Sequence, residues 1–329
     1  MICYTYDYEL FFKESGTIEN CLIKPTDEIL DLFKKYNQCG TFFIDALYLE
    51  RLKDIKEEEV NYQKIVTQIK RIVSEGSRIE LHLHTHWLDA IYKNGFWEFP
   101  SYEKYRIQVL EETEINNIFN RTINLLNSIA REVDDNYSVC CFRAGGWCIQ
   151  PFDKLYNAFI ENNIIIDSSL AIGISESNVR KYNFNNISLK NKSHWSFDSD
   201  PLIENSNGVL IEVPISTLKR TPFIRLIRKF TLKRDNKYGD GKGLIFTHEI
   251  SKIKLLFKWL KSDDVMLTTD DISDFELVNF LKKYNKNKIY VVINHPKNLK
   301  IMTGSNPYHF FKELTTLTLF DYLKKIKNV

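Results

Sequence analysis

The sequence predicts an α/β fold, a closed or distorted (β/α) barrel of mainly parallel strands, on three observations. β-rich runs alternate with amphipathic helices along most of the chain, an order that favours a parallel sheet. Polar residues recur at or just after the ends of those runs, where barrels place their sites. No internal repeat or linker divides the 329 residues, so one domain is expected over 1–329.

The elements follow in order. Residues 2–7 read as a first strand, with a loop over 8–24. Pro25-Thr26-Asp27-Glu28 opens a helix that runs to about Tyr36, because proline and acidic side chains suit a first turn. Gly40 to Asp45 is β-branched and aromatic, a second strand. Residues 59–75 carry Ile65, Ile69 and Ile72 along one helical face. The third strand starts at Ile79. A long helix over 112–133 is followed by a strand from Ser138 to Arg143, a helix over about 151–162 and a strand from Ile164 to Asp167. The stretch of about 171–250 reads as an insertion-like segment: Asn- and Ser-rich loop, a strand from Gly208 to Pro214, then a basic run. A helix over 252–262, a strand over Val265 to Thr269 and a helix over 271–284 precede the β-rich run Lys288 to Asn294. Two short helices close the chain.

Composition narrows the function. A hydrophobic fraction of 43% with 27% charged residues supports a sizeable core, and a net charge of +2 argues against nucleic-acid binding. The six cysteines show no Cys-x-x-Cys pair and are expected to be free thiols in a reducing compartment. No run approaches the roughly 20 apolar residues of a spanning helix. The start lacks a basic flank and an apolar signal core. A cytoplasmic protein with at most peripheral membrane contact is expected.

Three of the seven histidines fall within Ile79-Glu80-Leu81-His82-Leu83-His84-Thr85-His86-Trp87. Strand alternation puts Ile79, Leu81 and Leu83 on one face and Glu80, His82 and His84 on the other. Clustered imidazoles repel one another unless a cation or carboxylate joins them, and imidazole is a common metal ligand. The duller reading is a polar strand end. Further strand ends carry Asp7 with Glu9, Arg143, Asp167 and His295. A carboxylate and histidines that hold a divalent metal, a second carboxylate as base and a remote histidine as acid make up metal-assisted hydrolysis.

In these motifs the chain resembles the NodB-homology polysaccharide deacetylases. Thr5-Tyr6-Asp7-Tyr8-Glu9 resembles their first motif. Gly76 to Leu81 followed by His82-Leu83-His84-Thr85-His86 resembles the second at the same spacing. Arg143-Ala144-Gly145-Gly146-Trp147 loosely resembles the third, Asp167-Ser168-Ser169 the fourth, and Val291 to His295 the fifth. The resemblance implies a distorted barrel of the NodB-homology type. It implies that His82 and His86 bind the metal, that Asp7 is the base held by Arg143, and that Asp167 tunes His295 as the acid. Tyr8 stands where the family has its metal-binding aspartate. The metal carboxylate is therefore assigned to Glu9, with Asp7 as the competing assignment and His84 either a supporting residue or a third ligand. The third-motif proline is also missing. Two glycines there could bring backbone N–H groups to an oxyanion. Thr268-Thr269-Asp270-Asp271 superficially repeats the first motif and is read as helix capping.

The expected activity is removal of N-acetyl from a sugar or glycan precursor with one divalent metal ion, zinc by expectation. The alternatives are an amidohydrolase- or PHP-type metallohydrolase, which also uses His-x-His, and an inactive carbohydrate-binding relic. Aromatic residues over 88–110 would stack on sugar rings or fill the core. Residues 217–243 hold nine Lys or Arg. Arg225, Arg228 and Lys229 on one helical face would border the metal site and meet a nucleotide- or lipid-linked phosphate, or the helix is merely solvated.

Overall fold

The computed structural model describes residues 1–231, 236–244, 260–300 and 314–327. The strands in chain order are β1 (Ile2–Tyr8), β2 (Gly40–Asp45), β3 (Arg78–Leu83), the hairpin of β4 (Ile91–Lys93) and β5 (Phe96–Glu98), β6 (Cys141–Ala144) and β7 (Ile166–Asp167). Then come the hairpin of β8 (Ser175–Glu176) and β9 (Tyr182–Asn183), β10 (Trp195–Phe197), β11 (Leu210–Glu212), β12 (Thr217–Arg220), β13 (Asp263–Met266) and β14 (Tyr290–Asn294). Eight of them form one sheet in the order β10-β11-β7-β6-β3-β2-β1-β14. Every pairing in it is parallel except β10 with β11.

The sheet curls, and its far edges meet through irregular backbone. Ile215, just past β11, forms a parallel bridge with Val291 of β14. The next N–H, from Ser216, donates to the Val291 carbonyl at 3.0 Å, while Ile215 N–H reaches the Leu170 carbonyl at 2.8 Å. This is the distortion: the ring is completed by a bridge where a regular barrel would have a full strand.

Alternation along β1 explains what faces where. Tyr4, Tyr6 and Tyr8 point outward to the helices. Tyr6 stacks on Phe42 with ring centroids 4.9 Å apart, and the Tyr8 hydroxyl donates to Gln68 Oε1 at 2.9 Å, on the helix Glu59–Ser74. Thr5 and Asp7 point into the ring, with Glu9 just beyond the strand end. The barrel strands are buried on both faces, and in β1 and β3 apolar residues alternate with buried polar ones. Ile65, Ile69 and Ile72 of the outer helix are buried as their spacing predicts, as are Ile118, Ile123, Leu126 and Ile129 on Glu112–Ala130. β6 begins at Cys141, later than expected. The Glu80 carboxylate accepts the N–H groups of Cys140 and Cys141, both at 2.8 Å, which displaces ladder pairing there.

The segment over 171–207 contains short strands within loop, as expected. The helix expected over 252–262 falls mostly outside the described residues, as do His248 and His309. Among the described residues no helix is long and apolar enough to cross a membrane.

Candidate metal centre

Glu9, His82 and His84 come together at the ends of β1 and β3, each offering a donor atom within 4.8 Å of the others. The Glu9 carboxylate lies 3.1 Å from His82 Nε2 and 2.5 Å from His84 Nε2. His82 Nδ1 donates to the Arg143 carbonyl at 2.7 Å, which orients the ring and leaves Nε2 for the cluster. His84 Nδ1 is buried without a partner. Lys297 approaches Glu9 from the other side, its ammonium 2.8 Å from Oε1 and 2.7 Å from the Leu10 carbonyl. Two imidazole nitrogens and a carboxylate oxygen are the donor types that suit a catalytic zinc site.

Electrostatics follow from burial and proximity. Burial works to raise the Glu9 carboxyl, yet Lys297 and then His84 and His82 hold it well below the usual range. Burial would lower His82, but Asp7 and Glu9 outweigh it and raise the imidazole to about 9. For His84 burial prevails over Glu9 and the value falls to about 4, so this ring stays neutral and available as a ligand. Burial also pushes Asp45, which accepts from Trp87 Nε1 at 2.6 Å, up to about 7.

The structure does not bring His86 into the cluster. β3 ends at Leu83, and the chain turns into a short 3-10 helix over Thr85–Asp89. His84 is still extended and keeps the face of His82, whereas His86 swings away. Its ring lies parallel to Tyr105 at 5.7 Å and edge-on to Phe12 at 4.5 Å, with both nitrogens unpartnered. The pair gathered here is His-x-His. The glycines after Arg143 make room for it. A Cβ at Gly145 would sit 2.8 Å from the His84 ring, and one at Gly146, whose φ is +58°, would sit 2.5 Å from the Tyr105 hydroxyl. Clearance for two side chains is therefore their visible role.

Asp7 and Arg143 meet as expected. Arg143, with no exposed surface, donates from Nη1 to Asp7 Oδ1 at 2.7 Å and to Thr5 Oγ1 at 2.9 Å, and from Nε to the Ser168 carbonyl at 2.9 Å. The other Asp7 oxygen faces His295 Nε2 at 3.7 Å. The partner of His295 differs from expectation. Asp270 Oδ2 lies 3.2 Å from His295 Nδ1 and accepts the His295 backbone N–H at 2.9 Å. Burial alone would lower His295, but Asp270, Asp7 and Glu9 together raise it. Asp167 is held elsewhere. It accepts from Ser169 Oγ at 2.6 Å and pairs in register with Glu212 of β11. Burial, then the charge of Asp167, lifts Glu212 well above the carboxylate range. Asp270 was legible as the second aspartate-bearing motif, Thr268 to Asp271, set aside as a helix cap. The real cap of the helix Asp274–Lys283 is Ser273, in a capping box with Glu276.

A cleft of about 200 Å³ opens on these groups. Of the aromatic residues over 88–110, Tyr105 lines it; Trp97 and Phe99 pack on Trp87 with ring centroids 5.1 and 4.9 Å away. No described residue of the basic helix Pro222–Thr231 lines it. Arg225 pairs with Asp263 at 2.6 Å, and Arg228 with Asp271 at 2.7 Å and with Glu276. These arginines are spent on holding the helix in place.

No protein family and no curated protein matches the sequence. Solved structures do match. A Mycobacterium smegmatis protein assigned as a polysaccharide deacetylase aligns over 99% of this chain and 90% of its own, at 13% identity and a TM-score of 0.49. A polysaccharide deacetylase from Bacillus cereus aligns over 52% of this chain and 61% of its own, at 17% identity and a TM-score of 0.32. A CE4 family pseudoenzyme from Bacillus anthracis aligns over 50% and 41%, at 15% identity and a TM-score of 0.31. In structure the chain resembles the polysaccharide deacetylases. The likeness is one of fold at low identity, and what this chain does rests on its own side chains.

Proposed function

We propose that the chain is a metal-dependent hydrolase that removes N-acetyl groups from a sugar or glycan precursor. One divalent metal ion, zinc by donor type, would be held by Glu9, His82 and His84. The observation that carries this reading is convergence. An open donor set and two separately oriented proton-handling groups, Asp7 and His295, face one cleft.

Held by Glu9, His82 and His84, a metal would supply Lewis acidity toward an amide carbonyl and toward water. The chain's own residues supply the rest. Asp7 keeps one oxygen on Arg143 and offers the other to the cleft, the posture of a general base. His295, raised in pKa and held at Nδ1 by Asp270, presents Nε2 as the acid that protonates the leaving nitrogen. Arg143 sets both sides of the site, through its guanidinium on Asp7 and its carbonyl on His82.

A carbohydrate-binding relic is the second reading, and one observation favours it. The Lys297 ammonium already neutralises Glu9 without a metal. The deciding experiment loads the protein with zinc, removes the excess and measures metal content and acetate release from a panel of N-acetylated sugars. About one zinc per chain, with acetate release that a chelator stops and zinc restores, supports the enzyme. Bound metal without turnover supports the relic.

A further inference from the structure

Arg180 stands in the turn between β8 and β9, on the wall of the metal cleft. Two backbone N–H groups of that turn, from Asn178 and Arg180, donate to the Glu176 carboxylate at 2.6 and 2.7 Å. The turn is thereby braced, and the carboxylate nearest in sequence to Arg180 has both oxygens occupied. The Arg180 guanidinium lies over Trp147, its Cζ 4.9 Å from the ring centroid. Its hydroxyl neighbours are Tyr105 and Tyr182, and its Nε is buried without a hydrogen-bond partner. Among the described residues it pairs with no carboxylate. Among the described residues, the other Lys or Arg lining this cleft, Lys297, is engaged on Glu9, and Arg143, behind Asp7, is engaged on that carboxylate. Trp147 itself has a φ of +61°, a conformation that a large side chain rarely adopts and that tends to persist where function holds it.

A guanidinium stacked on an aromatic face, fixed by a braced turn and lacking a carboxylate is a preformed receptor for an anion. Arg180, Trp147 and Tyr105 line the same cleft as Glu9 and His84. We infer that Arg180 is a specificity-determining residue that receives an anionic group, phosphate or carboxylate, of a ligand whose other end reaches the Glu9–His84 end of the cleft. That the rest of this ligand is an N-acetylated sugar rests on the proposed function; the preference for an anion does not. The expected phosphate contact thus lies in the cleft itself and not at the paired arginines of the helix Pro222–Thr231.

Calorimetric titration of the zinc-loaded protein with three probes tests it. The probes are neutral N-acetylglucosamine, N-acetylglucosamine 1-phosphate and N-acetylmuramic acid, which bears a carboxylate. The native chain is expected to bind at least one charged probe about tenfold more tightly than the neutral sugar, as one charge-assisted contact provides. Which charged probe is preferred identifies phosphate or carboxylate. Arg180→Gln should erase the preference and leave the neutral sugar unchanged, whereas Arg180→Lys should keep part of it. Equal binding of all three probes by the native chain, or equal weakening of all three in Arg180→Gln, overturns the inference. Should Arg180→Gln fail to fold, the salt dependence of the native preference decides: a preference that added salt does not diminish is not electrostatic and also overturns it. Acetate release is recorded in parallel. An anion preference without acetate release leaves the inference standing and removes the deacetylase reading; release without the preference does the reverse.

Discussion

Two clusters among the described residues place a glutamate beside two potential metal donors, and they differ in what the glutamate has left to give. Glu80 lies by Cys140 and Cys141, and Glu9 by His82 and His84. Both are buried and both adjoin β3. At Glu80 each oxygen is used: one accepts two backbone N–H groups at 2.8 Å, and the other accepts Arg78 Nη2 at 2.9 Å. At Glu9 one oxygen meets Lys297 and the other meets two imidazoles, one of which has an orphaned nitrogen. Only this second cluster borders the cleft. Proximity of donors is thus a poor criterion for a metal site; unspent lone pairs and an approach path separate the two.

Removing each glutamate in turn separates the two clusters. Glu9→Ala should abolish zinc retention, measured by plasma mass spectrometry, and with it all acetate release. Glu80→Ala should keep the zinc but lower stability by about 3–5 kcal/mol, because Arg78 is left as a buried, unpaired cation. Denaturant titration measures that loss, and zinc loss in folded Glu80→Ala would mean that the clusters are not independent.

The next effect concerns proton delivery. Asp270→Asn should retain metal and lower kcat about 100-fold, the size expected of a general acid that has lost its orienting partner. Asp167→Asn should change kcat only slightly. Steady-state kinetics on both variants would reverse the assignment if Asp167 proved the costlier site.

The two outer histidines offer a subtler contrast. His84→Ala should reduce zinc to well below one per chain, while His86→Phe, which preserves the aromatic packing, should retain it. Equal loss in both would bring His86 back as a ligand.

The smallest effect is expected at Glu212. Its folded pKa lies above the unfolded value of about 4.3. The stability that its neutral form contributes is therefore complete below that value and is lost as pH rises through the folded one. Glu212→Gln, which stays neutral, should melt progressively higher than the native chain as pH rises from about 4 through the folded value. The gap should reach roughly 1–3 °C. A gap that stays constant with pH would show that Glu212 does not titrate in this window.

Much of the frame is legible in the sequence because its cues are local. Isoleucines at helical spacing on Glu59–Ser74, and the β-branched and aromatic residues of β1 and β2, carry their own periodicity. Asp7, Glu9, His82, Arg143 and His295 stand out because each falls at the end of such a run. The choice between His84 and His86 is not local. It depends on where β3 stops, and packing of Trp87 against Asp45, Tyr48 and Phe99 sets that turn. Asp270 is hidden for the converse reason. A local rule, aspartate before a helix, explained it too readily, while its true partner His295 lies 25 residues away.

Arg143 also has a consequence for how this chain can diverge. Its guanidinium spans the ring like a spoke, from Thr5 and Asp7 on β1 to Ser168 beyond β7. On the proposed function one side chain thus serves scaffold and chemistry at once, and selection on either preserves it. A descendant that abandoned turnover would still need this arginine to keep its walls together, so its presence in a related chain is a mark of architecture. His84 and Arg180, whose orphaned nitrogens tie no strands to one another, would be released first, and their retention or decay in a related chain is the better record of whether the chemistry survives.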